Sequence, residues 1–102
     1  MFDAASIKDA NDAFRRTCAH ARPRYVGWSG HYMQSEQLLD AILRAIAAYD
    51  NFDELAIFDD YGTVEVEGRN FRWDIEYLSA DDRMVDPTRD PVAYRGITIQ
   101  PE

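Results

Sequence analysis

The side chains best suited to chemistry in this sequence are carboxylates in two short runs of alternating polar and apolar residues. Asp74 and Glu76 are two positions apart in the second run, and at that spacing their Cα atoms lie roughly 6.6–6.8 Å apart in a strand. Two carboxylates so placed can hold different pKa values and act as acid and base. Because such catalysis needs a cleft and an open sheet face is solvated, we favour a solvated pair over a catalytic one.

Both carboxylates belong to a pattern that predicts a β-hairpin. Residues 63–67 alternate between polar and apolar, residues 68–70 (Gly-Arg-Asn) have the composition of a turn, and residues 71–77 alternate again. Successive side chains of a strand point to opposite faces. The face expected to line the core consists of Val64, Val66, Phe71, Trp73, Ile75 and Tyr77. The outward face carries Glu65, Glu67, Arg72, Asp74 and Glu76.

Other combinations of reactive side chains are weaker candidates. The sequence has no HExxH, CxxC or EF-hand spacing. Cys18 and His20 are two positions apart, which on a helix directs their side chains away from each other. A divalent cation could be held loosely by Asp50, Asp53, Glu54, Asp59 and Asp60. We favour a solvated acidic connector there, and we predict no catalytic residue, no metal site and no cofactor.

The net charge of −8 is unevenly distributed along the chain. Residues 1–49 contain six basic and five acidic side chains, whereas residues 50–102 contain five basic and fourteen acidic ones. The acidic half repels nucleic-acid phosphates over a Debye length of about 8–10 Å, which argues against direct nucleic-acid binding. It attracts a basic protein surface, including the groove of a nucleic-acid-binding complex.

A small basic cluster in the first half is the exception to this pattern. Arg15, Arg16, Arg22 and Arg24 lie within ten residues, close to the aromatic side chain of Trp28. Arginines interleaved with aromatic residues can bind RNA by charge and stacking. We favour the alternative that these arginines pair with helix ends and with carboxylates of the acidic half, residues 50–102.

Two helices are expected. Apolar residues at helical spacing predict a helix over residues 5–17, with Asp3 or Ser6 as its N-cap. A second helix is predicted to start after the N-cap Ser35 and to end near Tyr49. The apolar stripe of the first comprises Ile7, Ala10, Phe14 and Cys18, and that of the second Leu38, Leu39, Ile42, Leu43, Ile46 and Tyr49.

Two further strands complete the expected fold. Residues 24–29 are typical of a short strand, and residues 94–100 predict a closing strand with Ile97 and Ile99 inward. The order is helix, short strand, helix and three strands. This order predicts a single α+β domain over residues 1–102, with an antiparallel sheet of three to four strands and two helices packed on one face.

The bulk sequence indicates where such a protein works. No apolar run approaches the roughly 20 residues of a membrane span, and the N-terminus lacks a basic segment followed by an apolar one, so we expect no secretory signal. The lone Cys18 cannot form an internal disulfide and is expected to be a small buried apolar side chain. These features are typical of a cytoplasmic protein, which we expect to be a monomer or a homodimer.

Several segments resemble a known family when they are taken in order. They are Asn11-Asp12-x-Phe14-Arg15, Gly62 before the hairpin, Trp73-Asp74-Ile75-Glu76-Tyr77, Asp86-Pro87, Asp90-Pro91 and Arg95-x-Ile97-Thr98-Ile99. Together they resemble domain-of-unknown-function family 3768, whose members are small bacterial proteins frequent on plasmids and other mobile elements. The resemblance implies a fold and a biological setting, and it implies no activity.

The sequence departs from that family at two places. The family carries an acidic-His-Asp-aromatic-Gly run before the hairpin, where this chain has residues 58–62 with no histidine. Any chemistry that the histidine serves in relatives is therefore not expected here. A lysine typically follows the family's tryptophan, whereas Asp74 follows Trp73 in this chain. The outward face of the hairpin is more acidic as a result.

These observations favour a non-catalytic acidic binding protein. Its specific form is an inhibitor that mimics nucleic acid and occupies a cationic site of a host defence complex, such as a CRISPR effector or a restriction system. The expected contact residues are Asp59, Asp60, Glu65, Glu67, Asp74 and Glu76.

Two alternatives remain open. One is a small enzyme or ligand-binding domain with a site between the second helix, Trp28 and the sheet, which would use His31, Tyr61 and Asp60. The other is an accessory or antitoxin-like subunit, which should present an exposed apolar patch to its partner.

Overall fold

In the part of the chain that the structure describes, two helices and four strands follow one another in the order that the sequence predicts. The computed structural model describes residues 2–28 and 35–102. Ser29, expected at the end of the first strand, lies outside these ranges. The elements are α1 (Ala4–Thr17), β1 (Tyr25–Trp28), α2 (Glu36–Ala48), β2 (Tyr61–Val66), β3 (Arg69–Leu78) and β4 (Tyr94–Pro101). The α+β prediction is confirmed.

The four strands form one sheet in the order β1-β4-β3-β2. β3 pairs antiparallel with both β2 and β4, but β1 runs parallel to β4, with Tyr25 opposite Gly96 and Trp28 opposite Ile99. The sheet is therefore mixed, whereas a purely antiparallel sheet was predicted. A parallel neighbour requires a long connection, and here α2 and the whole β2–β3 hairpin lie between the two strands.

The hairpin turn lies one residue earlier than predicted. Val66 pairs with Arg69, so the loop consists of Glu67 and Gly68 alone, and both have positive φ values, of 54° and 74°. Two-residue loops with positive φ at both positions match the natural twist of paired strands. Glu67 therefore belongs to the turn, and β3 begins at Arg69, which the sequence pattern placed in the turn.

One face of the sheet and the two helices enclose the core. The inward hairpin positions that were predicted are buried or half-buried, and Phe71 and Trp73 have no exposed surface. The α2 stripe packs against them in the same cluster, together with Ile97 and Ile99. Gly62 also faces inward, and the ring of Tyr49 lies where a Cβ atom would stand, at 2.7 Å. A larger residue at position 62 would displace that ring.

The helix termini follow the predicted capping pattern. The Asp3 carboxylate accepts a hydrogen bond from the Ser6 amide at 2.7 Å, and the Ser35 hydroxyl accepts one from the Leu38 amide at 3.2 Å. Cys18 follows α1 directly and is buried as expected. Burial raises the pKa of its thiol to about 11. Within the described ranges, neither helix is long and apolar enough to cross a bilayer.

Candidate functional site

The sheet face that points away from the helices carries most of the expected contact residues. We call it the outer face and define it by the outward side chains of the three adjacent strands β2, β3 and β4. Strand register places Tyr61, Asp74 and Thr98 in one row across the sheet. Thr63, Arg72 and Gln100 form the next row. Glu65 lies opposite Asn70, and Glu76 lies opposite Gly96.

This outer face is acidic. Glu65 and Asp74 are exposed, Glu76 is half-buried, and Arg72 is the single cation among the outward side chains of β2, β3 and β4. A fourth carboxylate joins them at the sheet's end, since the Thr63 hydroxyl donates to Glu102 at 3.0 Å. The face thus presents four carboxylates and one guanidinium.

The pKa of Asp74, on the outer face, is shifted from its usual value. Partial burial raises the pKa of its carboxyl group, the neighbouring Arg72 lowers it, and the charge of Asp60 raises it further. The net shift is upward, so a bound proton or a nearby cation is favoured at this site more than at an ordinary surface aspartate. The charge of a cationic partner would favour the ionised carboxylate and so offset both contributions.

The structure brings only part of the expected contact set together. Glu65, Asp74 and Glu76 share the outer face, whereas Glu67 lies in the hairpin turn at its end. Asp59 does not belong to this surface, because it is only 7% exposed and its carboxylate binds the Lys8 ammonium at 3.2 Å. The half-buried Asp60 accepts a hydrogen bond from the Tyr77 hydroxyl at 2.8 Å.

The early arginines pair mainly within the molecule, but the carboxylates of Arg15 and Arg22 lie in the first half of the chain, and of the described ion pairs only that of Arg24 reaches the acidic half that was predicted. Arg22 binds the Asp40 carboxylate at 3.0 Å and lies 3.6 Å from that of Glu36. Arg24 stacks 3.9 Å from the ring centroid of Tyr94 and lies 3.9 Å from the Asp82 carboxylate. Within the described ranges, neither arginine forms an ion pair with an outer-face carboxylate.

A network of buried polar side chains beneath α1 was not expected from the sequence. Asn11 is fully buried at its centre. Its amide donates to the Phe58 carbonyl at 2.9 Å and to the Tyr77 hydroxyl at 2.8 Å. Its side-chain oxygen accepts from Arg95 Nε at 2.7 Å. The Tyr77 hydroxyl donates onward to Asp60, and burial raises the pKa of this phenol well above its usual range.

Arg15 extends the network to the end of the other helix. It is only 4% exposed. Its Nη1 donates to the carbonyl groups of Ile46 and Tyr49, at 3.0 and 2.8 Å, and its Nη2 donates to Asp12 at 2.7 Å. The last carbonyl groups of a helix lack helical partners. Arg15 supplies one to Tyr49 and adds a second donor to Ile46, which also accepts from the Tyr49 amide, so Arg15 caps α2 from α1. The guanidinium also lies 4.7 Å from the ring centroid of Phe52.

Two carboxylates share one lysine at the edge of this network. Lys8 Nζ lies 3.1 Å from an Asp12 oxygen and 3.2 Å from an Asp59 oxygen. Burial opposes ionisation of Asp12, but hydrogen bonds from Arg15 and Lys8 outweigh it and hold its pKa low. Burial and the adjacent Asp12 raise the pKa of Asp59, with Lys8 acting in the opposite direction.

The sequence contained one signal for this network. Lys8, Asn11, Asp12 and Arg15 recur at the spacing of a single helix face, and charged residues at that spacing normally indicate a solvated face. Their partners lie far along the chain, so their burial was not apparent. With the hydrogen bonds of Asn11 satisfied and two carboxylates held by Lys8 and Arg15, the network has the features of a structural centre. The described residues contain no cluster of ligating side chains suited to a metal ion.

The alternative ligand site beside α2 is occupied by the protein's own side chains. Ile42 and Ile46 are fully buried against the sheet, and the Trp28 ring packs 5.9 Å from that of Phe71. Tyr61 points to the outer face, and His31 lies outside the described residues. For the accessory-subunit alternative, the exposed apolar side chains include Leu55, which is 82% exposed, and Ile57.

Comparison with protein-family models, with curated proteins and with solved structures found no match to this chain.

Proposed function

We propose that this protein is a non-catalytic binding protein whose outer face docks on a cationic protein surface. The observation that carries this proposal is the distribution of charge on the sheet. The helices cover one face and leave the other open. The outward side chains of β2, β3 and β4, with Glu102, present four carboxylates against a single arginine there, and Arg24 lies over the Tyr94 ring at the edge. Such a face is complementary to a surface rich in lysine and arginine.

The internal pairing of basic side chains strengthens this charge pattern. Lys8, Arg15 and Arg22 each contact carboxylates outside the outer face. These three basic side chains therefore do not pair with Glu65 or Asp74, in a molecule whose net charge is −8. The partner class that fits is a protein groove that otherwise holds nucleic-acid phosphates, because it is cationic and shaped for a regular array of negative charge.

The experiment is an inhibition assay with purified CRISPR effector complexes and restriction enzymes. We expect the wild-type protein to inhibit DNA cleavage by its target. The double variant Glu65→Lys, Asp74→Lys should inhibit at least about tenfold less well, because each reversal places a lysine against a cationic groove. Its inhibition should also depend less steeply on salt.

A matched control separates the outer face from net charge. The double variant Asp9→Lys, Asp50→Lys changes the net charge by the same amount at two exposed positions outside the outer face. We expect it to inhibit within about twofold of the wild-type protein, since long-range steering is screened at physiological salt. Equal loss of inhibition in both double variants would mean that bulk charge, rather than the outer face, is responsible. A target inhibited equally by all three proteins would refute the proposed surface.

A further inference from the structure

A cavity away from the outer face is the basis of a separate inference. It is bordered by the first turns of α1, by residues 87–92 and by β4, and its volume is about 210 Å³. Ile7 and Ala10 contribute apolar wall from α1, and Pro87 and Val92 contribute apolar wall from the loop. Arg95 is the single cation among the residues that line it.

Arg95 is held in place but is only partly used by the protein. Its Nε donates to the Asn11 side chain at 2.7 Å, and its guanidinium lies 5.7 Å from the ring centroid of Tyr77. In the part of the chain that the structure describes, this is its one hydrogen bond, and no carboxylate lies within ion-pairing distance. Its two Nη atoms have no hydrogen-bond partner among the described residues and are not fully buried.

The contrast with Arg15 shows what is missing at Arg95. Arg15 is buried and its Nη atoms contact two carbonyl groups and a carboxylate. Arg95 is half-buried, and burial lowers the pKa of its guanidinium, an effect that the Tyr77 phenol offsets only in part. A partly desolvated guanidinium whose Nη atoms are not fully buried is suited to bidentate binding of a carboxylate. Because Asn11 and Tyr77 already fix its orientation, little entropy would be lost on binding.

We propose that this cavity binds a small monocarboxylate with an apolar body, the carboxylate on Nη1 and Nη2 of Arg95 and the body against Ile7, Ala10 and Val92. Pockets for drug-sized ligands span roughly 300–1,000 Å³, so this cavity takes a smaller molecule. Asp90 also lines it, so Arg95 can offset one negative charge on the ligand but not a second. The site is independent of the outer face.

The experiment is a titration of the full-length, ¹⁵N-labelled protein followed by NMR, with benzoate as the probe. We expect benzoate to cause saturable shifts at the Arg95 Nε–H signal and at the amides of Ala10 and Val92. Benzamide has the same shape without the charge, and inorganic phosphate has charge without an apolar body. Both should bind at least about tenfold more weakly.

Three variants locate the binding. Arg95→Met should abolish the shifts caused by benzoate, whereas Arg16→Met, which removes an exposed arginine of α1, should leave them unchanged. Since Arg95→Met also removes a bond to Asn11 and could impair folding, Ala10→Leu provides a second test. It fills the cavity and leaves Arg95 in place, and we expect it to weaken benzoate binding at least about tenfold.

Each result decides the proposal. Absence of saturable shifts in the folded wild-type protein would overturn it, as would equal binding of benzamide or phosphate, or unchanged binding in Ala10→Leu. The outer-face variant Glu65→Lys, Asp74→Lys should bind benzoate like the wild-type protein. This last result keeps failure of the cavity proposal distinct from failure of the proposed partner surface.

Discussion

Single polar side chains hold distant parts of this chain together. Asn11 uses both amide hydrogens and its oxygen, and each bond reaches a residue at least 47 positions away. Arg15 joins α1 to the end of α2 in the same way. A buried polar group that keeps all its partners is nearly neutral for stability, whereas one that loses a partner becomes costly. Substitutions in this network should therefore have large effects.

Among single residues, Arg15 provides the clearest prediction. Arg15→Met removes the donor for the carbonyl groups of Ile46 and Tyr49 and leaves Asp12 with Lys8 as its remaining cation. We expect the free energy of unfolding in urea to fall by about 3–5 kcal/mol, as it does when one partner of a buried ion pair is removed.

The neighbouring exposed arginine serves as the control for that measurement. Arg16→Met should change the free energy of unfolding by less than about 0.5 kcal/mol, because surface substitutions away from specific contacts have small effects. A loss of under about 1 kcal/mol in Arg15→Met would contradict the capping role assigned to its guanidinium.

The raised pKa of Asp59 predicts how the stability of the protein depends on pH. Its folded-state pKa is raised above 3.8, so between about pH 4 and pH 7 the native state binds more protons than the unfolded state. This group therefore lowers stability as the pH rises. Asn resembles the protonated acid, so the free energy of unfolding of Asp59→Asn, relative to the wild-type protein, should increase from pH 4 to pH 7 in urea titrations. A relative decrease for Asp59→Asn would show that Lys8 dominates its titration.

At the scale of elements, local sequence patterns predicted the individual helices and strands better than they predicted which strands pair. Alternation identified both strands of the hairpin, and Ser35 marked the start of α2, because each signal depends on near neighbours in sequence. No local sequence pattern predicts that β1 pairs in parallel with β4. The burial of the polar face of α1 could not be predicted for a related reason. Asp12 and Arg15 are residue types of a solvated surface, and only carbonyl and hydroxyl groups from distant parts of the chain make their burial favourable.

The hairpin turn allows a test at this scale. Glu67 adopts a positive φ of 54°, which costs most residues about 1–2 kcal/mol and which asparagine tolerates better. Glu67→Asn should therefore raise the free energy of unfolding by about 0.5–1 kcal/mol, measured by urea denaturation. Glu67→Ala keeps the strained backbone and should give no such gain. An equal gain in both variants would indicate relief of charge repulsion rather than of backbone strain.

For the whole molecule, charge and fold divide the surface into two regions of different use. The outer face is open and anionic, and its expected partner is a macromolecule. The Arg95 cavity is small, largely apolar and cationic at one point, and its expected partner is a small molecule. The sequence predicted the first region because acidic residues alternate along strands. It did not predict the second, because Arg95, Ile7 and Val92 come together only in the folded chain.

The parallel pairing of β1 also has a consequence for the time course of folding. β4 is the sole neighbour of β1 in the sheet. A hairpin such as β2–β3 closes in about 1–10 µs, and β4 can then add to its free edge. β1 has no strand to pair with until β4 has joined the sheet. Pairing β1 with β4 closes the longest loop between neighbouring strands of the sheet, at the greatest entropic cost. Assembly should thus proceed from the C-terminal strands towards the N-terminal one, opposite to the order in which a ribosome delivers them.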